Sequence, residues 1–294
     1  MKIFRLSVLV VLCAFAAQVA LAQTVIDAPN MLNIYREEVK PGHRSAYAAT
    51  AAAWIPVLRK AAFPQHYLAL RSISGPNENW YLEGMDNFAA LEANDAHVAK
   101  NASLAAEMDQ LSANDGEHLA STRRVQAIFR PDLSYNAKWD RAKVRAFHIL
   151  TTRVRPGHDE AYVDMMKRVK AAHEKVGIGE RYGVYEVVGG MPSGTYLMFI
   201  ALDSLKDADT MREAHEKQMP PGYSADDRAV MRKTAGDGIL FTDSTYFTVD
   251  PNTSYVAAER IAADPAFWTP KVITAAAEPA KPAAGKKKLA SKKE

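Results

Sequence analysis

Histidine is the side chain in this sequence best suited to acid–base or ligand chemistry, because its ordinary pKa lies close to neutrality. His173 lies on a predicted helix face that is otherwise apolar at Tyr162 and Met166. His148 lies on a predicted strand. If both imidazoles enter the space between helix and sheet, they could act as a general base or as an axial ligand. His148 and His173 are therefore the candidate catalytic residues, and the alternative is that His173 is a single core histidine.

The residues around His173 predict a pocket for a small apolar or aromatic molecule. Seven of the 11 methionines lie between residues 165 and 231. Methionine adapts its shape to irregular ligands, but it also fills irregular cores. The candidate ligand-binding residues are Tyr162, Met166, His173, Tyr196 and Met198. The alternative is that these side chains simply pack as core.

The sequence lacks the motifs of the common cofactor and metal sites. It contains no glycine-rich phosphate loop, no His-Glu-x-x-His motif and no nucleophile elbow. The tetrapeptide Ala-His-Glu-Lys occurs at 172–175 and at 214–217, but neither copy is followed by a second histidine at metal-binding spacing. We interpret both copies as helix surface, and we expect no metal site and no cofactor.

These side chains belong to a chain that repeats itself. Val39–Tyr47 recurs as Val154–Tyr162, with six of nine positions identical and Pro-Gly-His in both copies. Further matches follow in the same order, which indicates an internal duplication with a period long enough for a complete small domain. We interpret His43 and His158, which follow Pro-Gly in the two copies, as parts of a turn rather than as a catalytic pair.

Each half reads as strand, helix, strand, strand, helices and strand. Met31–Val39 is a predicted strand, and His43–Ala61 has the apolar period of a helix whose last turns Pro56 should kink. The β-α-β-β-α-β order is that of a ferredoxin-like fold, an antiparallel sheet with helices on one face. We therefore predict an α+β fold with ferredoxin-like modules at 30–136 and 144–256. Their bare sheet faces would meet in a single-chain pseudo-dimeric α/β barrel.

A strand that runs into Val-Lys-Pro-Gly-His or Val-Arg-Pro-Gly-His, followed by a helix with an early aromatic residue, resembles the dimeric α/β-barrel superfamily. The resemblance covers residues 30–135 and 145–255. This superfamily includes cofactor-independent antibiotic-biosynthesis-type monooxygenases, NIPSNAP-like proteins and haem enzymes, so the resemblance implies a fold rather than one activity. Its haem-binding members hold iron through a histidine between helix and sheet. His173 would be that ligand here, with Glu186 as acceptor for its other ring nitrogen.

The two ends of the chain predict the location of the protein and a candidate contact surface. Residues 1–22 combine a basic start, an apolar run and Ala-Leu-Ala before Gln23, which is the pattern of a cleaved signal peptide. We therefore expect a secreted or periplasmic protein. The single cysteine, Cys13, lies in this segment, so disulfides and thiolate chemistry are excluded from the mature chain. Residues 269–294 are rich in Ala, Pro and Lys, and they predict a disordered tail that could contact an anionic surface.

Charge and hydropathy exclude two classes of partner. The formal net charge is +3, but the excess of basic residues lies at the two ends, so no basic body for nucleic acid is predicted. No later segment is long and apolar enough to span a membrane after cleavage. The function that we favour is binding of a small apolar or aromatic molecule in the second module. A cofactor-independent monooxygenase and a structural envelope protein without a site are the alternatives, so the sequence leaves open whether the protein is an enzyme.

Overall fold

The computed structural model describes residues 25–269, which form an α+β fold around a closed barrel of eight strands. The predicted signal peptide and all but the first residue of the predicted tail lie outside the described residues. Within 25–269, no helix combines the length and the apolar character that crossing a membrane requires.

Residues 25–140 supply the first half of the fold. In chain order its elements are β1 (Val25–Asp27), β2 (Met31–Val39), α1 (Arg44–Ala52), α2 (Trp54–Lys60), β3 (Tyr67–Ser72), β4 (Glu78–Met85), α3 (Phe88–Ala99), α4 (Ala102–Gly116), β5 (Leu119–Phe129) and β6 (Lys138–Asp140). Strands β1 and β6 pair as a separate antiparallel ribbon. The other four strands belong to the barrel.

Residues 146–268 supply the second half. Its elements are β7 (Ala146–Val154), α5 (Asp159–Val176), β8 (Tyr182–Gly189), β9 (Thr195–Leu202), α6 (Lys206–Gln218), α7 (Ala225–Lys233), β10 (Ile239–Val249), α8 (Ala258–Ala263) and α9 (Pro265–Trp268). Strand β10 pairs with β7 over most of its length, and its far end pairs with β3 of the first half.

The strand order of the barrel is β10-β3-β4-β2-β5-β8-β9-β7, and every pairing is antiparallel. Within each half the first barrel strand lies between the third and the fourth. Side chains alternate across the sheet, so Leu32 and Ile34 pack in the barrel core while Asn33 and Tyr35 face the helices. Closure leaves no unpaired strand edge in the barrel.

The first helix of each half begins after an equivalent glycine turn. Gly42 and Gly157 have φ angles of +81° and +84°, a left-handed conformation that glycine adopts without steric cost. His43 and His158 follow at the helix starts, and neither side chain caps its helix by a hydrogen bond. This geometry agrees with the interpretation of both histidines as turn residues.

The predicted helix over His43–Ala61 is two helices in the structure. The break at Ala53 lies before Pro56 rather than in the last turns. It places Pro56 in the first turn of α2, where a backbone N–H has no partner within the helix and its loss is tolerated.

Helices α8 and α9, which the sequence analysis did not predict, pack into one end of the barrel. Trp268 is 1% exposed and belongs to the barrel core. Its indole N–H donates to the carbonyl of Ala142 at 3.0 Å. Residues near the end of the described chain are therefore part of the core.

Candidate functional site

The predicted ligand-binding residues meet on the helix-facing side of the second half's sheet. Tyr162 and Met166 of α5 and Tyr196 of β9 are each at most 4% exposed. The rings of Tyr162 and Tyr196 lie 4.6 Å apart, and Met198 packs against the same apolar cluster. The structure thus brings these four side chains together in a packed core, and ligand binding there stays a prediction.

His173, near the C-terminal end of α5, is 2% exposed. Its Nδ1–H donates to the Val169 carbonyl at 2.8 Å, and its Nε2 lies 3.0 Å from Oε2 of Glu180. Nε2 of His215, on α6, contacts the same oxygen. Burial opposes ionisation of Glu180, but the hydrogen bonds from the two histidines outweigh it and lower its pKa to about 2. The hydrogen bond to Glu180 raises the pKa of His215, although partial burial acts against it.

The sequence analysis missed Glu180 and His215. The signal was present, because the two Ala-His-Glu-Lys copies supply both histidines. The interpretation as helix surface was wrong for His173, which is buried. The copy at 214–217 contains no buried residue, although His215 contacts a buried carboxylate. Spacing within one helix does not reveal a site that two helices share. Glu186, the expected partner of His173, instead accepts a hydrogen bond from Arg130 at 2.6 Å.

The two candidate catalytic histidines do not form a pair. His148 faces the helix side of the sheet, where its ring stacks on that of Tyr246 at 4.2 Å. His148 of β7 pairs with Ile200 of β9, and Ile200 pairs with Tyr182 of β8 on its other side. The ring of Tyr182 contacts that of His173. Two strand spacings, roughly 10 Å, therefore separate His148 from the strand residue beside His173.

The surroundings of His173 do not fit haem. The rings of Tyr135, Tyr182 and His215 lie 5.2–5.4 Å from its own, and Glu180 lies 3.0 Å from its Nε2. A porphyrin would have to displace Glu180 and these rings together. The haem alternative therefore lacks an axial ligand at His173, and the expectation that the protein needs no cofactor stays a prediction.

A cavity of about 470 Å³ lies at one end of the barrel. This volume is within the range of ligand pockets, ~300–1,000 Å³. Its inner wall is apolar and aromatic and includes Leu32, Leu82, Phe147, Tyr185 and Phe199. None of the predicted ligand-binding residues lines it.

Two arginines line the same cavity. Arg141 follows β6 and Arg260 lies on α8. Among residues 25–269 neither guanidinium has a hydrogen bond or an ion pair, and Arg260 lies over the ring of Trp268 at 5.1 Å. Burial lowers the pKa of both, and the charge of Arg141 helps to lower that of Arg260 to about 9, while Asp140 raises it. Both arginines remain charged at neutral pH, so this part of the cavity is positive.

A polar cluster lies between the sheet and the helices of the first half. Glu37 of β2 accepts a hydrogen bond from the Tyr47 hydroxyl, which lies 2.6 Å from the Tyr81 hydroxyl. Burial raises the pKa of Glu37 to about 7, although the Tyr47 hydrogen bond acts in the opposite direction. Glu37 is partly exposed, so it can exchange a proton near neutral pH. The sequence analysis missed Glu37. The available signal was a difference between the two repeats, because the equivalent position in the second repeat, 115 residues later, is Thr152.

Solved structures share this fold. An anthrone oxidase-like protein matches with a TM-score of 0.51 at 13% identity, over 80% of this chain and 99% of that chain. A predicted monooxygenase from Lactobacillus acidophilus NCFM matches with a TM-score of 0.47 at 11% identity, over 74% and 93%. A mutant chlorite dismutase from Candidatus Nitrospira defluvii matches with a TM-score of 0.44 at 8% identity, over 76% and 93%. No protein-family model and no curated protein matches the chain.

These similarities concern the fold. The match with a TM-score of 0.51 shows a shared fold, and the α+β structure with its antiparallel eight-stranded barrel is consistent with the predicted dimeric α/β barrel. At such low identity the similarities carry no activity, substrate or site residue over to this chain. The function has to be argued from the side chains that the barrel and its helices bring together.

Proposed function

We propose that the protein binds a small carboxylate with an apolar or aromatic body in the barrel cavity. The observation that carries the proposal is the pair of arginines, Arg141 and Arg260, that line an otherwise largely apolar cavity without an ion-pair partner among the described residues. The proposal keeps the class of ligand expected from the sequence. It moves the site from the helix layer of the second half, beside His173, into the barrel.

The carboxylates near the two arginines form no ion pair with them in the described part of the chain. Asp140 pairs with Lys143 at 3.4 Å. Glu259 also lines the cavity, but it is exposed and forms no ion pair in the described part of the chain. Two like charges held away from water are unfavourable, so an anion between them is stabilised by both. A carboxylate suits this role because it can accept paired N–H bonds from a guanidinium.

The inner wall of the cavity favours an apolar body for the ligand. The ring of Phe199 packs edge-on against Tyr185 at 5.6 Å and against Phe147 at 6.1 Å. The Tyr185 hydroxyl already donates to the Pro29 carbonyl at 3.2 Å. The wall therefore offers aromatic surface, whose burial contributes roughly 25 cal/mol per Å².

Calorimetric titration with 2-naphthoate tests the proposal, with 2-naphthol as the uncharged analogue of the same ring system. We expect 2-naphthoate to bind at one site and 2-naphthol to bind at least tenfold more weakly. The substitution Arg260→Gln or Arg141→Gln should weaken 2-naphthoate binding by about 10- to 100-fold. This is the loss expected for one hydrogen bond to a charged group, ~1.5–3 kcal/mol.

The control variant is Arg212→Gln, which removes the same charge from α6, where the arginine side chain is 63% exposed. Its affinity for 2-naphthoate should equal that of the unchanged protein. Equal binding of acid and alcohol, or an unchanged affinity in Arg260→Gln, would contradict the proposal. Failure of both compounds to bind would instead favour the structural protein without a site.

Glu37, Tyr47 and Tyr81 favour a second candidate function, cofactor-independent oxidation of an acidic aromatic substrate. Glu37 would take a C–H proton from a substrate such as anthrone, the compound named in the description of one protein with this fold. Dioxygen would add to the resulting carbanion, the peroxide anion would take the proton back from Glu37, and the hydroperoxide would lose water to leave the quinone. A carboxyl with a pKa of about 7 suits this proton transfer at neutral pH.

Oxygen uptake in the presence of anthrone tests this second function. The substitution Glu37→Gln should lower the rate by at least about 100-fold, as expected for loss of a general base. The matched control is Glu38→Gln, because Glu38 is the adjacent residue and is exposed. Equal rates in both variants would remove Glu37 as the base.

The organisation and location expected from the sequence remain proposals. The equal strand order of residues 31–129 and 146–249 supports two fused modules, and the pattern of residues 1–22 supports export. We further propose that residues 269–294 contact an anionic surface. Mass spectrometry of protein recovered from a Gram-negative periplasm should give an N-terminus at Gln23, whereas retention of residue 1 in the cytoplasm would refute export.

A further inference from the structure

Three side chains from α5, from the segment after it and from α6 converge on one point outside the barrel. Oε2 of Glu180 lies 3.0 Å from Nε2 of His173 and also contacts Nε2 of His215. One ligand-type atom from each residue lies within 4.8 Å of the other two. His173 and Glu180 are at most 5% exposed, whereas the side chain of His215 is 42% exposed. The cluster is therefore buried on two sides and accessible at His215.

The hydrogen bonds of His173 show which of its ring nitrogens is protonated and which can bind a metal ion. The Val169 carbonyl can only accept, so Nδ1 of His173 carries a proton. Nε2 then either carries a second proton, which makes a buried ion pair with Glu180, or it presents a lone pair to a carboxylate oxygen. A lone pair facing that oxygen is repulsive unless a cation lies between them. A backbone acceptor on Nδ1 is also the arrangement that orients histidine as a metal ligand through Nε2.

We propose that His173, Glu180 and His215 bind a divalent first-row transition metal ion. Two imidazoles and one carboxylate form a ligand set for Zn²⁺, Co²⁺ or Fe²⁺. Zinc-to-nitrogen and zinc-to-oxygen bonds of about 2.0–2.1 Å put tetrahedral ligand atoms ~3.3 Å apart. The separation of 3.0 Å between His173 and Glu180 is close to that value.

The surroundings of the cluster leave a place for a fourth ligand. The half-exposed His215 gives solvent access to the ion. The hydroxyl of Tyr182 is buried and has no hydrogen-bond partner among residues 25–269, and its ring lies 5.2 Å from that of His173. A water molecule bound to the ion at this side would give that hydroxyl a partner. Three protein ligands with one open position are typical of catalytic rather than structural zinc sites.

Metal titration of the full chain, purified without a polyhistidine tag and stripped with chelator, tests the proposal. We expect Zn²⁺ to bind with a stoichiometry of one, and Co²⁺ to give visible absorption bands typical of nitrogen and oxygen ligands. Loss of a residue that only orients a metal ligand typically weakens binding by about 10- to 100-fold. His215→Ala and Glu180→Gln each remove a direct ligand, so each should raise the dissociation constant by more than that. His215→Ala alters a half-exposed side chain, so its fold should survive.

The control is the other close pair of histidines, His43 and His118, whose Nδ1 atoms lie 3.1 Å apart. His118→Gln should bind Zn²⁺ and Co²⁺ as the unchanged protein does. If His118→Gln abolishes binding and His215→Ala does not, the metal lies at that other pair and the proposal is wrong. It is also overturned if the unchanged protein binds neither ion, or if His215→Ala binds both with unchanged affinity while circular dichroism shows it folded.

Discussion

Replacing Glu37 by glutamine should make the stability of the protein less sensitive to pH. Glu37 lies under α1, where Tyr47, itself fully buried, donates a hydrogen bond to its carboxyl. Glutamine has the same shape, and its carbonyl oxygen can accept the same bond. The substitution therefore removes the titration of the side chain with little change in packing.

The expected size of the effect follows from the pKa of Glu37. Burial raises that pKa from 4.5 to about 7. The folded state thus holds the proton more tightly than the unfolded state, so the free energy of unfolding falls as pH rises from about 4.5 to 7 and is level above 7. Integrated between pH 5 and pH 8, this titration lowers the stability of the unchanged protein by about 2.5 kcal/mol. Glu37→Gln lacks this loss.

Urea unfolding at several pH values measures this difference, because the free energy of unfolding is obtained at each pH by linear extrapolation. Relative to the unchanged protein, Glu37→Gln should gain about 2.5 kcal/mol between pH 5 and pH 8. The exposed neighbour variant Glu38→Gln should follow the unchanged protein. Parallel pH profiles for Glu37→Gln and the unchanged protein would show that the Glu37 carboxyl ionises as freely in the folded state as in the unfolded one.

Two further predictions concern the barrel. The side chain of Trp268 is 1% exposed in the barrel core. Trp268→Ala should therefore lower the free energy of unfolding by ~3–5 kcal/mol, as for other buried aromatic residues. A loss below ~1 kcal/mol in urea unfolding would mean that α9 does not stabilise the barrel. Residues 30–136 produced alone should aggregate or self-associate, because Ile34, Leu70 and Val125, all fully buried in the whole chain, would lose the other half. A folded, soluble monomer of this fragment in light scattering would contradict that account.

Local patterns were sufficient to predict most of the barrel. Helical periodicity after Pro-Gly predicted a helix over His43–Ala61, and the structure has α1 at Arg44–Ala52 and α2 at Trp54–Lys60. The predicted strand Met31–Val39 is β2 in the structure, with the same bounds. The short elements at the barrel end were missed, because β6 and α9 are ordered by packing Trp139 and Trp268 into the core rather than by any period of their own.

The candidate sites were harder to predict because they combine distant segments. His173 is buried near the end of α5, but its partner Glu180 follows that helix and His215 comes from another helix. The cavity joins Arg141 to Arg260, which are more than 100 residues apart; Arg141 follows β6 and Arg260 lies on α8, and neither element was predicted. Only the closed barrel brings such residues together.

The position of a bound aromatic carboxylate tests the central claim most directly. We would crystallise the protein with 6-bromo-2-naphthoate and locate the bromine by its anomalous scattering. The account predicts bromine in the barrel cavity, with the carboxylate within hydrogen-bond distance of Arg141 and Arg260. Bromine beside His173 or beside Glu37, with an empty barrel cavity, would contradict it.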